Sequence, residues 1–233
     1  MTAKWIVLWR HGRTAWNAVG RLQGQSDIEM DSVGFSQVEA NARALAAAFP
    51  GAVVVSSDLR RASDTARVYC ELAGGAPTLD ERLRERSFGV WEGLDRAEIA
   101  RQWPDLFEAW QRGSDALAVP PQGESRSGAS RRIADAIVER AEALPDNATL
   151  LVVSHGAAIT GAITYLIGED PDNWHGVSGL DNANWSVLKR EHTQTEHDQL
   201  ESTQPESTHA QQPKWRLAAH NVGNTPLNDI YNG

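Results

Sequence analysis

Two histidines in this sequence stand directly before a glycine, each at the end of an apolar run. His11 lies in an Arg-His-Gly triplet after the apolar residues 5–9, and His155 lies in a Ser-His-Gly triplet after residues 149–153. Imidazole is a nucleophile and a proton carrier near neutral pH, and a neighbouring glycine lets the backbone approach a bound group closely. A lone histidine is usually an inert buried side chain, but two such pairs at two strand ends predict one shared chemical site.

Arginines and a helix N-terminus near these histidines indicate that the bound group is an anion. Arg10 precedes the first histidine, and Arg60 and Arg61 follow the apolar residues 53–55. A guanidinium can donate two parallel hydrogen bonds to a phosphate. The backbone amide of Gly156 is expected at a helix N-terminus, where anions bind. A solvated helix face is the alternative for Arg60 and Arg61, and we expect it for one of the two.

The elements that must position these residues alternate between strand and helix along most of the chain. Apolar runs predict strands at residues 3–9, 52–55, 149–153, 184–190 and 214–220. Helical spacing predicts helices at 34–49, 58–72, 127–144 and 157–167, with one or two short helices broken at Pro104 within 95–112. This order predicts an α/β fold with three α/β/α layers and a mostly parallel central sheet, whose strand ends share a ligand-binding edge.

Two local details of these elements are also predicted. Ser56, Ser57 and Asp58 have side chains that cap helices, so we expect them to cap the helix over 58–72. The stretch from 10 to 32 is rich in Gly, Asn, Gln and Asp, so we expect it to be a loop.

Composition narrows the class of protein. The chain has 233 residues, a net charge of −9, 41% hydrophobic and 23% charged residues, which is typical of an ordinary soluble protein. It lacks the basic face of a nucleic-acid or anionic-membrane binder, and no apolar run is long enough to span a bilayer. Residues 1–4 lack the features of a signal peptide, so we expect a cytoplasmic protein. Cys70 is the single cysteine and is expected to be a buried free thiol.

One segment is too polar to belong to the core. Residues 191–213 are almost all Glu, Gln, Thr, Ser, His and Asp, so we expect a disordered linker between two strands that pair with each other. Its histidines match no metal-binding spacing, and a solvated linker is favoured over a metal site. The tail over 221–233 is rich in Asn and Gly and has no assigned role.

Five runs carry a resemblance to a known family. LWRHGRTAWN, RLQGQSD, SSDLRRASDTA, RLRERSFGVWEG and VVSHG occur in this order between about residues 4 and 190. Together they resemble the histidine phosphatase superfamily, which has the phosphoglycerate mutase-like fold. An Arg-His-Gly triplet alone would be a weak signal, whereas the ordered set is specific. The resemblance implies one histidine phosphatase domain over residues 1–233.

The resemblance implies a role for individual residues. His11 is the implied nucleophile, which becomes phosphorylated, and Glu85 is the implied proton donor. Arg61 is chosen over Arg60 because it directly precedes an alanine, as in the family pattern. Contacts to the phosphate or to the substrate beside it are implied for Arg10, Asn17, Gln23, Arg61, His155 and Gly156.

These residue types suit phosphoryl transfer without a metal or another cofactor. A neutral imidazole does not repel a phosphate, and two arginines with a protonated His155 would balance its charge of about −1.5 to −2. Glu85 must be protonated when the substrate binds, so that it can give the leaving alkoxide a proton. It can then take a proton from the water that hydrolyses the phosphohistidine. A salt bridge to Arg82 or Arg84 is the alternative for Glu85.

Three functions are consistent with these residues. The run RERSFGVWEGL is similar to the phosphatases of the family, and the region 95–122 lacks the longer basic and aromatic insert of the mutases. We therefore favour net hydrolysis of a phosphate monoester over a cofactor-dependent phosphoglycerate mutase. A non-catalytic relative that only binds phosphorylated ligands is the third alternative, although every expected catalytic position is filled. The expected partner is a small phosphate ester, and a homodimer is left open.

The substrate is predicted from aromatic residues and from similarity within the family. Aromatic residues are concentrated in one stretch, where we expect most in the core and some at the mouth of the pocket, beside a sugar ring or an apolar leaving group: Phe88, Trp91, Trp103, Phe107 and Trp110. RLQGQSD, SSDLRRASDTA, QGESRSG and LDNANWSVL resemble the glucosyl-3-phosphoglycerate phosphatases, although Gln122 stands where glycine is expected. The predicted substrate is a phosphoglycerate-like or sugar phosphate monoester, with glucosyl-3-phosphoglycerate as a candidate.

Overall fold

Six strands and seven α-helices make up the fold in a computed structural model, which describes residues 2–112, 119–191 and 214–223. The strands are β1 (Trp5–Arg10), β2 (Val53–Ser56), β3 (Thr78–Leu79), β4 (Thr149–Ser154), β5 (Trp185–Arg190) and β6 (Trp215–Val222). The helices are α1 (Ala15–Ala18), α2 (Ser32–Ala48), α3 (Arg60–Ala73), α4 (Arg96–Gln102), α5 (Pro104–Gln111), α6 (Arg126–Glu142) and α7 (Gly156–Leu166). Two short 3-10 turns lie at Glu81–Leu83 and Gly89–Trp91.

The strands form one sheet in the order β3-β2-β4-β1-β5-β6. β1 pairs in parallel with β4, and β2 pairs in parallel with β3 and β4. β5 and β6 run antiparallel at the other side of β1. The predicted mostly parallel sheet is therefore confirmed, and so is the pairing of the two strands that flank the polar segment. The segment 192–213 and the tail from 224 onwards lie outside the described residues.

Helices cover both faces of the sheet, and the pleat of β1 divides its side chains between them. Ile6 and Leu8 pack in one buried cluster with α6 and α7, whereas Val7 and Trp9 pack in a second cluster with α2 and α3. Side chains alternate across a strand, so a continuous apolar run can serve two cores. The predicted three-layer α/β/α arrangement follows from this alternation.

A third, aromatic cluster holds the short helices α4 and α5 next to the carboxyl ends of the strands. Phe88, Trp91 and Phe107 are buried in it, and Trp103 and Trp110 pack against them. The ring of Trp91 meets that of Trp110 in a T-shaped contact, with centroids 5.9 Å apart. Most of the concentrated aromatic residues are thus core, as expected.

Two local predictions were wrong. The stretch 10–32 is not all loop, because Thr14 caps the four-residue helix α1. α3 begins at Arg60 after Leu59, with no side-chain cap. Two of the three expected caps have tertiary partners instead: the Ser57 hydroxyl lies 2.9 Å from the His155 ring, and Asp58 pairs with Arg84. Tertiary partners have taken the side chains that local sequence assigned to the helix.

The backbone at Gln122 predicts a stabilising substitution. Gln122 is exposed and has a φ of +62°, a conformation that costs a residue with a Cβ about 1–2 kcal/mol. Glycine avoids this cost, but it also makes the unfolded chain more flexible, which lowers the free energy of unfolding by about 0.4–1 kcal/mol. We expect Gln122→Gly to raise the free energy of unfolding by about 0.5–1 kcal/mol in urea denaturation. Gln102→Gly, at the end of a helix, is the control and should lower it; a similar loss in both variants would contradict the strain at 122.

Candidate active site

The two histidines meet where β1 and β4 end. Arg10 and Ser154, the last residues of these parallel strands, are register partners, so His11 and His155 follow side by side. Their ring centroids are 5.2 Å apart and the rings are inclined at 59°. Both side chains are buried. The juxtaposition predicted from two separate strand ends is present.

The ring of His11 is fixed by its own backbone neighbour. Its Nδ1 lies 2.7 Å from the carbonyl oxygen of Gly12, which only accepts, so Nδ1 carries the proton and Nε2 carries the lone pair. A Cβ at residue 12 would lie 2.5 Å from the carbonyl oxygen of Gly34, so only glycine allows this close approach. His11 therefore presents one defined lone-pair nitrogen, which suits its predicted role as nucleophile.

Burial and positive neighbours keep His11 neutral. Burial lowers the pKa of His11 well below its ordinary value, and the charges of Arg61 and Arg10 lower the pKa further. Nε2 is thus free of a proton throughout the neutral range, as the predicted role of nucleophile requires. An arginine-rich pocket serves two purposes, because it attracts the phosphate and keeps the nucleophile unprotonated.

His155 is held by protein groups on both ring nitrogens. Its Nδ1 accepts a hydrogen bond of 3.1 Å from Nε of Arg61, so its Nε2 carries the proton and donates to the Ser57 hydroxyl at 2.9 Å. Burial, followed by the charge of Arg61, lowers the pKa of His155 well below its ordinary value. The expectation of a protonated His155 is wrong for this arrangement, because an arginine donor faces the nitrogen that would have to gain the proton.

Two arginines supply the positive charge of the site. Arg61 is fully buried and donates to the carbonyl oxygens of Gly24 and Ser26, each at 2.7 Å. Burial lowers its pKa to about 10, so it stays charged at neutral pH. Arg10 donates through Nη1 to the carbonyl oxygen of Leu180, while its buried Nε has no partner among the described residues. A buried orphan donor is uncommon and fits a site that accepts an anion.

The geometry also decides between the alternatives for Arg60 and for Glu85. Arg60 is exposed and pairs with Glu29 at 2.6 Å, so it is the solvated member of the Arg60–Arg61 pair. Arg82 pairs with Asp80, and Arg84 pairs with Asp58, so neither forms the alternative salt bridge with Glu85.

Glu85 lies at the N-terminus of α7, opposite the nucleophile. Its carboxyl oxygens accept hydrogen bonds from the backbone N–H groups of Ala158 at 2.7 Å, Arg86 at 2.8 Å and Ala157 at 3.1 Å. The side chain is 8% exposed and lines the same cavity as His11. The first turn of the helix thus orients the carboxyl group and directs it at the cavity.

A cavity of about 260 Å³ brings most of the predicted residues together. Its lining includes seven of the eight candidates: Arg10, His11, Asn17, Gln23, Arg61, Glu85 and Gly156. Within the described part of the chain His155 does not line it and lies behind Arg61 and His11. A second cavity of about 610 Å³ adjoins it and shares Phe88, Trp110 and Ala157 in its wall. The smaller cavity therefore opens into room for a larger group.

The cavity brings together a histidine, two arginines and a carboxyl group. Phosphoryl transfer through a phosphohistidine requires these groups. The family model described as "Histidine phosphatase superfamily (branch 1)" matches residues 6–203. This chain belongs to the histidine phosphatase superfamily. The fold predicted from the resemblance, that of the phosphoglycerate mutase-like proteins, is confirmed.

Relatives within the superfamily are similar over most of the chain. Glucosyl-3-phosphoglycerate phosphatase of Mycolicibacterium vanbaalenii is 32% identical, over 99% of this chain and 100% of the relative. Metal-independent phosphoserine phosphatase of Arabidopsis thaliana is 35% identical, over 66% of this chain and 65% of the relative. The structure of mycobacterial glucosyl-3-phosphoglycerate phosphatase in complex with VO3 superimposes with a TM-score of 0.80 at 32% identity, over 94% of this chain and 100% of that one. This chain is a histidine phosphatase.

Some residues that shape this histidine phosphatase site were not found from the sequence. Ser57 bonds His155, and Thr65 accepts from the backbone N–H of Gly12 at 3.3 Å. Asn182 donates to the carbonyl oxygen of His11 and to the side chain of Asn17. Ser57 and Asn182 do lie in runs that resemble the family, but only their spatial partners reveal what they do.

The described residues also bear on metal binding and on membrane insertion. Among the described residues, no group of three or more His, Cys, Asp or Glu side chains is placed to hold a metal ion. None of the described helices is long and apolar enough to cross a bilayer.

The buried histidines predict a loss of stability in mild acid. The pKa of each is lowered below 6.5 on folding, so below about pH 6.5 the unfolded chain binds more protons than the folded chain. The free energy of unfolding should then fall with pH by up to about 1.4 kcal/mol per unit for each histidine, and neither contributes above that range. Urea denaturation at pH 7.5, 6.5 and 5.5 measures this. A His155→Gln variant should show about half the slope, and an unchanged slope would contradict the assignment.

Proposed function

We propose that this histidine phosphatase hydrolyses the phosphate monoester of a phosphoglycerate-like or sugar phosphate metabolite without a metal, with glucosyl-3-phosphoglycerate as the first candidate. The observation that carries the proposal is the 260 Å³ cavity lined together by His11, Arg10, Arg61 and Glu85. Similarity to glucosyl-3-phosphoglycerate phosphatases over almost the whole chain supports the choice of substrate.

Two in-line transfers at phosphorus account for the reaction. First, Nε2 of His11 forms a bond to phosphorus while the bond from phosphorus to the ester oxygen breaks, and protonated Glu85 gives its proton to the departing alkoxide. Then a water molecule attacks the phosphohistidine, Glu85 takes a proton from that water, and the bond between phosphorus and Nε2 breaks. Inorganic phosphate and the alcohol are the products, and His11 and Glu85 return to their starting states.

The arginines act on the charge of the phosphoryl group. Arg61 is buried and Arg10 is half-buried beside the cavity, and a hydrogen bond to a charged group contributes about 1.5–3 kcal/mol. Loss of either should therefore slow the step it serves by roughly tenfold or more. His155 contributes by holding Nε of Arg61, which sets the plane of that guanidinium.

The leaving alcohol is assigned to the 610 Å³ cavity. Its wall combines the aromatic rings of Phe88 and Trp110 with polar groups of Arg126 and His175, whose Nη1 and Nδ1 atoms are 2.6 Å apart. Aromatic faces suit sugar rings, and a guanidinium suits a carboxylate. This wall fits a glycerate ester that carries both a carboxylate and a bulky substituent.

A panel of phosphate esters tests the proposal. Phosphate release would be measured with EDTA present on glucosyl-3-phosphoglycerate, 3-phosphoglycerate, phosphoserine, common sugar phosphates and p-nitrophenyl phosphate. We expect free phosphate as the product, and we expect glucosyl-3-phosphoglycerate to give the highest kcat/KM. Phosphate moved between positions without release would favour a mutase, and no turnover at all would favour a protein that only binds phosphorylated ligands.

Arg126 gives a specificity prediction. Arg126→Gln should raise KM about tenfold or more for esters that carry a carboxylate, the cost of one charge-assisted hydrogen bond, and change KM for p-nitrophenyl phosphate less than about threefold. Arg131→Gln, at an exposed position of the same helix, is the matched control. Equal effects of Arg126→Gln on both kinds of substrate would contradict a carboxylate site there.

A further inference from the structure

The loop between α7 and β5 reaches back over the end of β1. The backbone N–H of Ala183 donates to the carbonyl oxygen of His11 at 3.0 Å, and Nδ2 of Asn182 donates to the same oxygen at 3.2 Å. Arg10 donates to the carbonyl oxygen of Leu180 in this loop. The loop thus touches the nucleophile and one arginine of the site, although its side chains are absent from the mechanism described above.

Asn182 is one of three donors that set which way an amide in the cavity points. Oδ1 of Asn17 accepts from the backbone N–H of Thr14 and from its hydroxyl, each at 3.1 Å, and from Nδ2 of Asn182 at 3.2 Å. With its oxygen held by three donors, the amide presents Nδ2 to the cavity that Asn17 lines. A flipped amide would present an oxygen, which would repel a phosphate dianion.

We propose that Asn182 is a positioning residue that fixes the amide of Asn17 so that Nδ2 of Asn17 donates to the transferring phosphoryl group. This inference rests on the proposed phosphatase function. Asn182 does not line the cavity in the described residues, so it acts through Asn17, while its bond to the carbonyl oxygen of His11 holds its own amide in place. The loop thereby takes part in catalysis, because Asn182 bonds both the side chain of Asn17 and the carbonyl oxygen of His11.

The loop is anchored independently of the Asn182 side chain. The carbonyl oxygen of Ala183 accepts from Nε1 of Trp9 at 2.6 Å and from Nδ2 of Asn41 at 2.8 Å. On the other side, Asn221 bonds Asp181 at 2.9 Å and Asn184 at 3.0 Å. Removal of the Asn182 amide should therefore leave the loop in place, and its kinetic effect can be interpreted.

A double-mutant cycle tests the proposal with p-nitrophenyl phosphate and vanadate as probes. Asn182→Ala should lower kcat/KM roughly tenfold, about the effect of one lost hydrogen bond near the reacting group, and weaken inhibition by vanadate to a similar degree. In an Asn17→Ala background the same change should cost less than about twofold, because the residue through which it acts is gone. Asn182→Asp, which replaces the donor by an acceptor, should lower kcat/KM more than Asn182→Ala.

A control separates positioning from a loosened loop. Asn221→Gly removes the side-chain bonds to Asp181 and Asn184 without touching Asn17, and glycine tolerates the φ of +52° at that position. Its effect should add to that of Asn17→Ala. Additive effects of Asn182→Ala and Asn17→Ala, or no effect of either, would overturn the positioning role. The proposed function itself would still stand if the wild-type chain hydrolyses esters and His11→Ala does not.

Discussion

His11→Ala should abolish turnover, with a loss of about 10⁴-fold or more in kcat for every substrate, the scale seen when a covalent nucleophile is removed. In the proposed mechanism Nε2 of His11, a residue that lines the cavity, is the one nucleophilic nitrogen. His155 cannot substitute, since both of its ring nitrogens bond Arg61 and Ser57 and it lies behind the cavity wall. Initial rates of phosphate release measure the loss.

Two further measurements distinguish a lost nucleophile from a damaged fold. Rapid quenching of the wild type with substrate labelled in its phosphoryl group should trap a phosphorylated enzyme that His11→Ala does not form. Two successive in-line transfers should also retain the configuration at a chiral phosphorus. Inversion, or a labelled His11→Ala enzyme, would contradict the assignment of His11.

The burial of His11 bears on how that variant will fold. An alanine removes a ring that contacts the ring of His155 and leaves a small gap at the floor of the cavity. His11→Asn keeps a polar side chain of intermediate size and is the better variant for binding studies. It should still bind vanadate, because Arg10 and Arg61 are unchanged.

Glu85→Gln should have the second largest effect, and its size should depend on the leaving group. A general acid contributes about 10²–10⁴-fold, so esters of ordinary alcohols should lose roughly that factor in kcat. p-Nitrophenyl phosphate releases a phenolate that needs no proton, so its first step should change less than about tenfold. The ratio of the two losses is the quantity to measure. The comparison is made on kcat/KM, which reports the first transfer, because the later water step is common to both substrates; equal losses in kcat/KM would contradict the role of Glu85 as proton donor.

A matched control is needed because Glu85 also has structural bonds. Its carboxyl oxygens accept from three backbone N–H groups, and the amide nitrogen of a glutamine cannot accept. Glu124 is a second carboxylate nearby, paired with Arg132 at 2.8 Å and bonded to the backbone N–H of Ser87 at 2.9 Å. Glu124→Gln should lower stability by a similar amount and show no dependence on the leaving group.

Most long elements could be predicted from the sequence because their patterns are local. β4 was predicted at 149–153 and runs from Thr149 to Ser154, and α7 was predicted at 157–167 and runs from Gly156 to Leu166. Such runs contain enough apolar residues for a period to be recognised. The four-residue helix α1 and the two-residue strand β3 are too short to show any period, so neither was predicted.

The candidate site, like the fold, has features that the sequence predicts and features that it does not. The sequence by itself determined the chemistry: a histidine, an arginine and a glycine end one buried strand, a second histidine ends another, and parallel strands must end at one edge. Only the tertiary structure decided how these groups are used. The protonation and orientation of His155 depend on Arg61, 94 residues away in the chain, and the amide oxygen of Asn17 accepts a hydrogen bond from Asn182, 165 residues away. Burial and long-range hydrogen bonds set these properties, and neither is a property of a local stretch of sequence.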